Sequence, residues 1–416
     1  MNTLTILFLI ALGAGLLLQL WLYRRHDSHV QAHRGQVPEA FADQVKLDEH
    51  QKAADYTNAK VRLSMLDEVL GSALLLIWTL GGGLALVLGI WEGAGLSPLL
   101  MGAAAMLTVF LIQGALDLPM SLWRTFRLEQ RFGFNRNTIG QFVKDMALGL
   151  LLALLLGGPL LLAILWLMEQ AGALWWLYAW ALWMGFSLFV TWLYPTVIAP
   201  LFNKFQPLEE GELKARINAL VERCGFNNSG IFVMDGSRRS AHGNAYFTGF
   251  GNNKRIVFFD TLVNSLGVDE LEAVLAHELG HFKRKHVLKN LVLSAAITLF
   301  GFWLLGWLMQ QPWFYSGLGV SAESNAAALL LFMLAAPVFS QFLSPLGSWL
   351  MRRHEFEADD YAVDHSGGRP LIRALVKLYQ ENASTLTPDP LFSAFHDSHP
   401  PAPVRIAHIS AKIAEA

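Results

Sequence analysis

The chain has 416 residues, of which 54% are apolar and only 15% charged, and its formal net charge is −2. A soluble domain carries about 25% charged residues, so the composition excludes an ordinary soluble protein, and the near-neutral balance offers nothing to a nucleic-acid partner. The single cysteine, Cys224, excludes an intrachain disulfide and a zinc site built from thiolates alone.

A bilayer core takes roughly 20 apolar residues in a helix. Seven stretches reach that length, at about 4–22, 71–91, 99–122, 146–168, 173–193, 288–309 and 326–349. The first is followed by Tyr23-Arg24-Arg25 rather than by a small-residue cleavage site, so it reads as a retained span. Basic residues alternate completely. Arg24, Arg25, Arg34, Lys46, Lys52, Lys60 and Arg62 follow the first span, Arg124, Arg127, Arg131, Arg136 and Lys144 the third, and Arg352 and Arg353 the seventh. The loops "WEGAGLSP", "EQAGA" and "QQPWFYSGLGVSAESNA" hold none. Positive loops stay cytoplasmic, which places the N-terminus outside and every long polar segment in the cytoplasm. Gln113, Asp117 and Pro119 in the third span, and Ser340, Gln341 and Ser344 in the seventh, must face other helices or a wet cavity.

The polar stretch 200–286 opens with helical spacing of Leu213, Ile217, Leu220, Val221 and Cys224, which predicts an amphipathic helix over 208–224. "GIFVMD" and "KRIVFFD" read as strands. Between them lies "AHGNAYFTGFGNN", and after them comes "VLAHELGHFKRKHV". In a helix, residues four apart share a face, so His277 and His281 can offer two imidazoles to one ion. Glu278 is turned by about 100°, beside the metal rather than on it, where it can hold an attacking water. That is the logic of His-Glu-x-x-His in metal-assisted hydrolysis. Catalytic zinc takes a third protein ligand. The best source is "RRHEFEADDYAVDH", where Glu355 and Asp359 lie four apart on a helix continuing from the seventh span. One of them can ligate while the other orients a histidine.

The seven spans, "HELGH", "EFEAD", "HPPAPVRI", "RGQVPEAF", "LEQRFGFNRNT" and "GNAYFTGF", in this order, resemble the Ste24 group of zinc metallopeptidases, the CAAX prenyl proteases type I of family M48. The resemblance covers nearly the whole chain. It implies one zinc ion per chain, held by His277, His281 and Glu355, with Glu278 as the catalytic base and Asp359 supporting His277. His399 and Arg405 would line the cleft and steady the oxyanion or the ligand glutamate. Asn244, Ala245 and Tyr246 would form the edge strand that aligns a peptide substrate through main-chain hydrogen bonds. Gly243 departs from the family's usual serine, and His242 has no assigned role.

The expected fold is a mainly α membrane protein, with seven transmembrane helices as an α-barrel around an intramembrane chamber and a small α+β cytoplasmic peptidase domain. The expected division is 1–199 for spans one to five, 200–286 for the peptidase insert, 287–349 for spans six and seven, and 350–416 for the C-terminal segment. The expected function is zinc-dependent endopeptidase activity on peptides or proteins, prenylated or membrane-associated, in CAAX-type processing or membrane-protein quality control. Competing readings are a shorter HtpX-like quality-control protease, a zinc-binding scaffold, or a transporter, against which no inverted repeat is visible. Short external loops and a terminal "AKIAEA" without a dilysine signal point to a bacterial inner membrane, with the endoplasmic reticulum membrane as the alternative.

Overall fold

The computed structural model describes residues 2–226, 230–248 and 255–415. Six helices are long and apolar enough to span a bilayer, and a seventh span is made by two helices in series. Their outer faces carry exposed Ile10, Leu17, Leu86, Ile90, Val292 and Ile297, a surface that lipid solvates and water does not. Their packed side gathers Phe8, Leu84, Met106, Leu305 and Leu330 into one cluster.

The first helix, Thr3–Ala32, runs past its predicted end at 22. The polar turn beyond that point has partners. Arg25 Nε donates to both carboxylate oxygens of Asp389, at 3.0 and 2.9 Å, and His26 stacks on Phe392 with ring centroids 4.1 Å apart. At the other end, Thr5 Oγ1 donates to the Gly317 carbonyl at 2.8 Å. The second span, expected over 71–91, is broken. Leu47–Trp78 ends at Thr79, and Gly83–Glu92 resumes at a bend of 44°. Gly82, at φ +82°, supplies the left-handed residue that the bend requires.

In the third membrane helix, Pro98–Trp123, Gly114 to Asp117 are all exposed, a full turn open on every side. Both faces of such a turn border space rather than protein, as a helix in the wall of a hollow does. Gln113 accepts from Trp78 Nε1 at 2.9 Å and donates to Asp117 at 2.9 Å, so one polar pair in the wall is satisfied between helices.

Outside the membrane part, a four-stranded sheet has the order β1-β2-β4-β3, with β1 Phe205–Pro207, β2 Ile231–Met234, β3 Ala245–Thr248 and β4 Arg255–Phe259. Only the β2–β4 pair is parallel. Residues 249–254, the glycine-rich end of the expected substrate hairpin, lie outside the described residues. The amphipathic helix is Glu212–Arg223, shorter at both ends than 208–224. Its Ile217 and Leu220 join Phe258, Leu271, Leu275, Leu371 and Ile409 in the second core. Phe41 and Val45, from the segment after the first helix, enter the same core. The loop "LEQRFGFNRNT" docks on the chain ahead of β3. Arg136 N donates to the Arg239 carbonyl at 3.1 Å, and Arg239 forks onto Asp145 at 2.7 and 2.8 Å. His242, unassigned from sequence, stacks on Phe134 in this joint, with centroids 4.3 Å apart.

The last span runs on as expected into the helix that follows it, and Asn325–Ser366 form one 42-residue helical rod with a single tightened turn in it. The tightened turn is Gln341–Leu343, between Asn325–Ser340 and Ser344–Ser366, and Pro345 follows it in the first turn of the latter, where a missing N–H costs little.

Asp389 clasps the C-terminal segment to the first helix. It is 1% exposed, and its carboxylate caps the helix Pro390–His396 by accepting from Leu391 N and Phe392 N. Burial resists its ionisation, but the Phe392 amide and Arg25 outweigh burial and hold its carboxyl below the usual range. A depressed pKa contributes stability that is present above the unfolded value, about pH 4, and fades as pH falls through the folded value. Asp389→Ala should cost about 2 kcal/mol, read as a lower thermal midpoint at neutral pH, with the gap to the parent closing under acid. Equal midpoints at neutral pH contradict the clasp.

Candidate metal centre

The helix Val268–Lys283 carries "HELGH". It starts where Glu270 turns back to accept from Gly267 N at 2.7 Å, and Asp269 and Glu270 sit at its positive end. Leu271, Leu275 and Leu279 bury its core face. The polar face lies against the helix Ser344–Ser366, and Gly280 sets the approach. A Cβ there would come within 3.0 Å of Ala358 Cα and 3.0 Å of Tyr361 Cβ. The missing side chain lets the two backbones meet closely, where a methyl group would crowd them, and the meeting brings Glu355 and Asp359 up to the histidines.

Ligand atoms of His277, His281 and Glu355 all lie within 4.8 Å of one another. His277 Nε2 is 3.2 Å from His281 Nε2, and Glu355 reaches His277 Nε2 at 3.4 Å and His281 Nε2 at 3.2 Å. Asp359 Oδ1 lies 2.9 Å from His277 Nδ1. Asp359 holds a proton on His277 Nδ1, so Nε2 is the nitrogen that turns toward His281 and Glu355. Glu355 Oε2 is buried and has no hydrogen-bond partner among the described residues. Two imidazole nitrogens and a buried carboxylate thus converge on one point, where a cation, a proton in the metal-free protein or a metal in its place, offsets the cost of burying the carboxylate. The donor set, two imidazoles and a carboxylate, suits a borderline divalent metal.

Arg405 stands behind this set, at 8% exposure. It forks onto Asp359 at 2.9 and 2.5 Å and lies 3.6 Å from Glu355 Oε2. It therefore touches the carboxylates rather than the open side. His399 is on the open side. It is 65% exposed, with Nε2 at 3.4 Å from Glu355 Oε1. A cavity of about 470 Å³ opens beside it, lined by Tyr23, His26, Lys60, His396 and Asp397 among others. Glu278 is half-buried and forms no hydrogen bond or ion pair among the described residues, which leaves its carboxylate available.

Of the expected peptide-aligning residues, Ala245 and Tyr246 lie in β3, an outer strand of the sheet, and Asn244 immediately precedes it. β3 packs on the "HELGH" helix, with Phe247 and Phe282 ring centroids 5.4 Å apart. Alternation puts Ala245 and Phe247 toward the core and Tyr246 on the other face, where its hydroxyl points to Met234 Sδ at 4.0 Å. The outer edge of β3, which packs on the helix carrying His277 and His281, therefore presents main chain. Asn382 fixes the approach to the strand by accepting from Gly243 N at 3.1 Å.

Three residues beside the centre were not assigned from sequence. His286 is buried, with Nδ1 at 3.0 Å from His281 Nδ1 and Nε2 at 3.1 Å from Glu357 Oε2. His354 stacks on it, with centroids 4.0 Å apart. The available signal was the third histidine in "HELGHFKRKH", five residues after His281.

Burial and the Arg405 guanidinium both disfavour a charged His277, but the carboxylates of Asp359 and Glu355 beside it outweigh them and raise it to about 9. In the metal-free protein it is therefore protonated at neutral pH, and a metal must displace that proton. Affinity for added zinc should rise about tenfold per pH unit from pH 6 towards 8, measured by competition with a chromophoric chelator. A flat profile over that range contradicts the assigned proton. Gly280→Val should separate the two helices and abolish tight zinc uptake, at a folding cost of about 1–3 kcal/mol; normal uptake by that variant excludes the close-approach account.

Comparison with known proteins agrees over the full length. The family model for the CAAX prenyl protease N-terminal region, five membrane helices, matches residues 26–204, and that for peptidase family M48 matches residues 207–413. CAAX prenyl protease 1 of Saccharomyces cerevisiae is 34% identical over 409 residues, covering 91% of this chain and 89% of the yeast one. The Homo sapiens homologue is 32% identical over 71% of this chain and 70% of its own. The crystal structure of S. mikatae Ste24p superposes with a TM-score of 0.90 at 31% identity, covering 98% of this chain and 99% of that one. That agreement in fold extends to the helical wall around a membrane chamber, and the chain belongs to the Ste24 group of peptidase family M48, integral-membrane metalloendopeptidases.

Proposed function

We propose that the metal is zinc, held by His277, His281 and Glu355, and that the substrate is a membrane-associated or prenylated peptide cleaved beside β3. The observation that carries the reading is the convergence of two imidazole Nε2 atoms, 3.2 Å apart, and a buried carboxylate oxygen that has no hydrogen bond among the described residues. Tetrahedral zinc with ligand distances of roughly 2.0–2.1 Å separates two nitrogens by about 3.3 Å, close to the spacing found. Zinc bound there would supply Lewis-acid polarisation of the scissile carbonyl and an acidified water.

The chain's own groups do the rest. Glu278, free of partners and one residue beyond His277, accepts the proton of the attacking water and passes it to the leaving amine. β3 receives the peptide as an added strand, which holds the scissile bond extended. His399, exposed beside Glu355, is placed to donate to the developing oxyanion. Arg405 is a positioning residue, because its guanidinium meets Asp359 and Glu355 from behind. Asp359 fixes the His277 tautomer. The peptidase unit in this reading joins 200–286 to 350–416, and the spans 1–199 and 287–349 form the chamber that admits a lipid-bearing substrate. The alternation of lysine- and arginine-rich segments with uncharged loops supports a cytoplasmic location for the peptidase face.

Relatives of similar length bear the names CAAX prenyl protease 1 and its homolog, which favours a prenylated C-terminal peptide as the first substrate to test. Glu278→Gln should keep zinc at one equivalent and lower kcat by at least about 10³-fold on such a peptide, measured with a quenched fluorescent reporter in detergent or liposomes. Parent-like turnover by Glu278→Gln rules out the assigned base. His399→Ala should lower kcat with little change in zinc content, and Arg405→Ala should lower zinc content itself; the reverse pattern would exchange their roles.

A further inference from the structure

We propose that His286 and Glu357 form a proton-ordered relay that positions the metal ligand His281. The inference rests on the zinc reading above and assigns the support of its second histidine. His281 turns Nε2 toward His277 and Glu355. If that nitrogen lends its lone pair to a metal, the ring proton must sit on Nδ1. His281 Nδ1 lies 3.0 Å from His286 Nδ1. Two ring nitrogens at that distance share one proton, so His286 Nδ1 accepts and its own proton stands on Nε2. His286 Nε2 then has an acceptor, Glu357 Oε2, at 3.1 Å. Every donor in the chain points the same way, from ligand to imidazole to carboxylate, and no nitrogen is left unmatched.

The relay is held by its surroundings. His286 is 2% exposed, and its ring lies flat on His354, at 4.0 Å between centroids and 9° between planes. Glu357 is tethered in turn by Arg353 Nε at 3.4 Å and Lys289 Nζ at 3.6 Å. His286 opens the helix His286–Leu308, immediately after Lys285 in the left-handed region at φ +59°. That single residue turns the chain so that His286 returns beneath His281. The two ligand histidines are thus supported differently. His277 meets its carboxylate directly through Asp359, whereas His281 reaches Glu357 through an intervening ring. Groups of this kind fix the tautomer and orientation of a ligand imidazole.

The test measures zinc affinity of the detergent-solubilised full chain by competition with a chromophoric chelator, independently of turnover. His286→Phe keeps a ring against His354 and removes both nitrogens; it should bind zinc about 10–100-fold more weakly. His286→Asn, whose amide oxygen can accept from His281 Nδ1, should recover part of that loss. Glu357→Ala should weaken zinc binding several-fold, while Glu357→Gln, which keeps an acceptor oxygen, should bind nearly as the parent does. In the His286→Phe background, Glu357→Ala should cost nothing further, because the path between them is already cut. The relay is overturned if His286→Phe binds zinc within about twofold of the parent, if Glu357→Ala and Glu357→Gln are equally impaired, or if Glu357→Ala costs the same in both backgrounds. A parent chain that takes up no zinc overturns the metal reading together with the relay; a parent that binds zinc, with variants indistinguishable from it, overturns the relay alone.

Discussion

The arrangement depends on the absence of a side chain at Gly280. The helix bearing His277 and His281 meets the helix bearing Glu355 and Asp359 backbone against backbone, with Ala358 opposite the glycine. A methyl group there would meet Ala358 and Tyr361 at 3.0 Å and require the neighbouring helix to give, in a place where candidate ligand spacing leaves little slack. The leucine face of the same helix, packed into the peptidase core, holds it from the other side. Packing thus delivers the ligand geometry, and the charged groups only refine it.

That refinement is a problem of buried charge. Glu355 and Asp359 are almost wholly inaccessible, and Arg405 is the cation set between them. Isolated, any one of the three would be costly to bury. Together with His277 they form a set in which Asp359 serves two masters, accepting the Arg405 fork and orienting His277. The arginine comes from the C-terminal helix Ala402–Glu415 and the carboxylates from Ser344–Ser366, so the set also staples the end of the chain to the helix below it.

Much of this was legible in the residues, for a physical reason. An i,i+4 histidine pair is a local geometry that any helix reproduces, and hydropathy over a membrane span is a sum that tolerates errors in its parts. What could not be read depended on breaks. The second span fails at Thr79 because Gly81 to Gly83 add conformational freedom that an apolar average does not register. β1, at three residues, is too short for alternation to show. His286 lies past Lys285, whose left-handed backbone ends helical periodicity, so its position under His281 could not be projected from spacing. Glu355 and Asp359 were exchangeable on their own helix; only the tertiary approach sets one toward both imidazole Nε2 atoms and the other toward Nδ1.

The clasp between Arg25 and Asp389 has a mechanical meaning as well. Asp389 lies on the segment that leads to His399, and Arg25 lies on a helix whose far end is fastened to the loop bearing Gly317. The first helix is thus fastened at both ends, by Thr5 to the Gly317 carbonyl and by Arg25 to Asp389. A displacement of that helix along its axis would therefore be passed to the stretch of chain between Asp389 and His399.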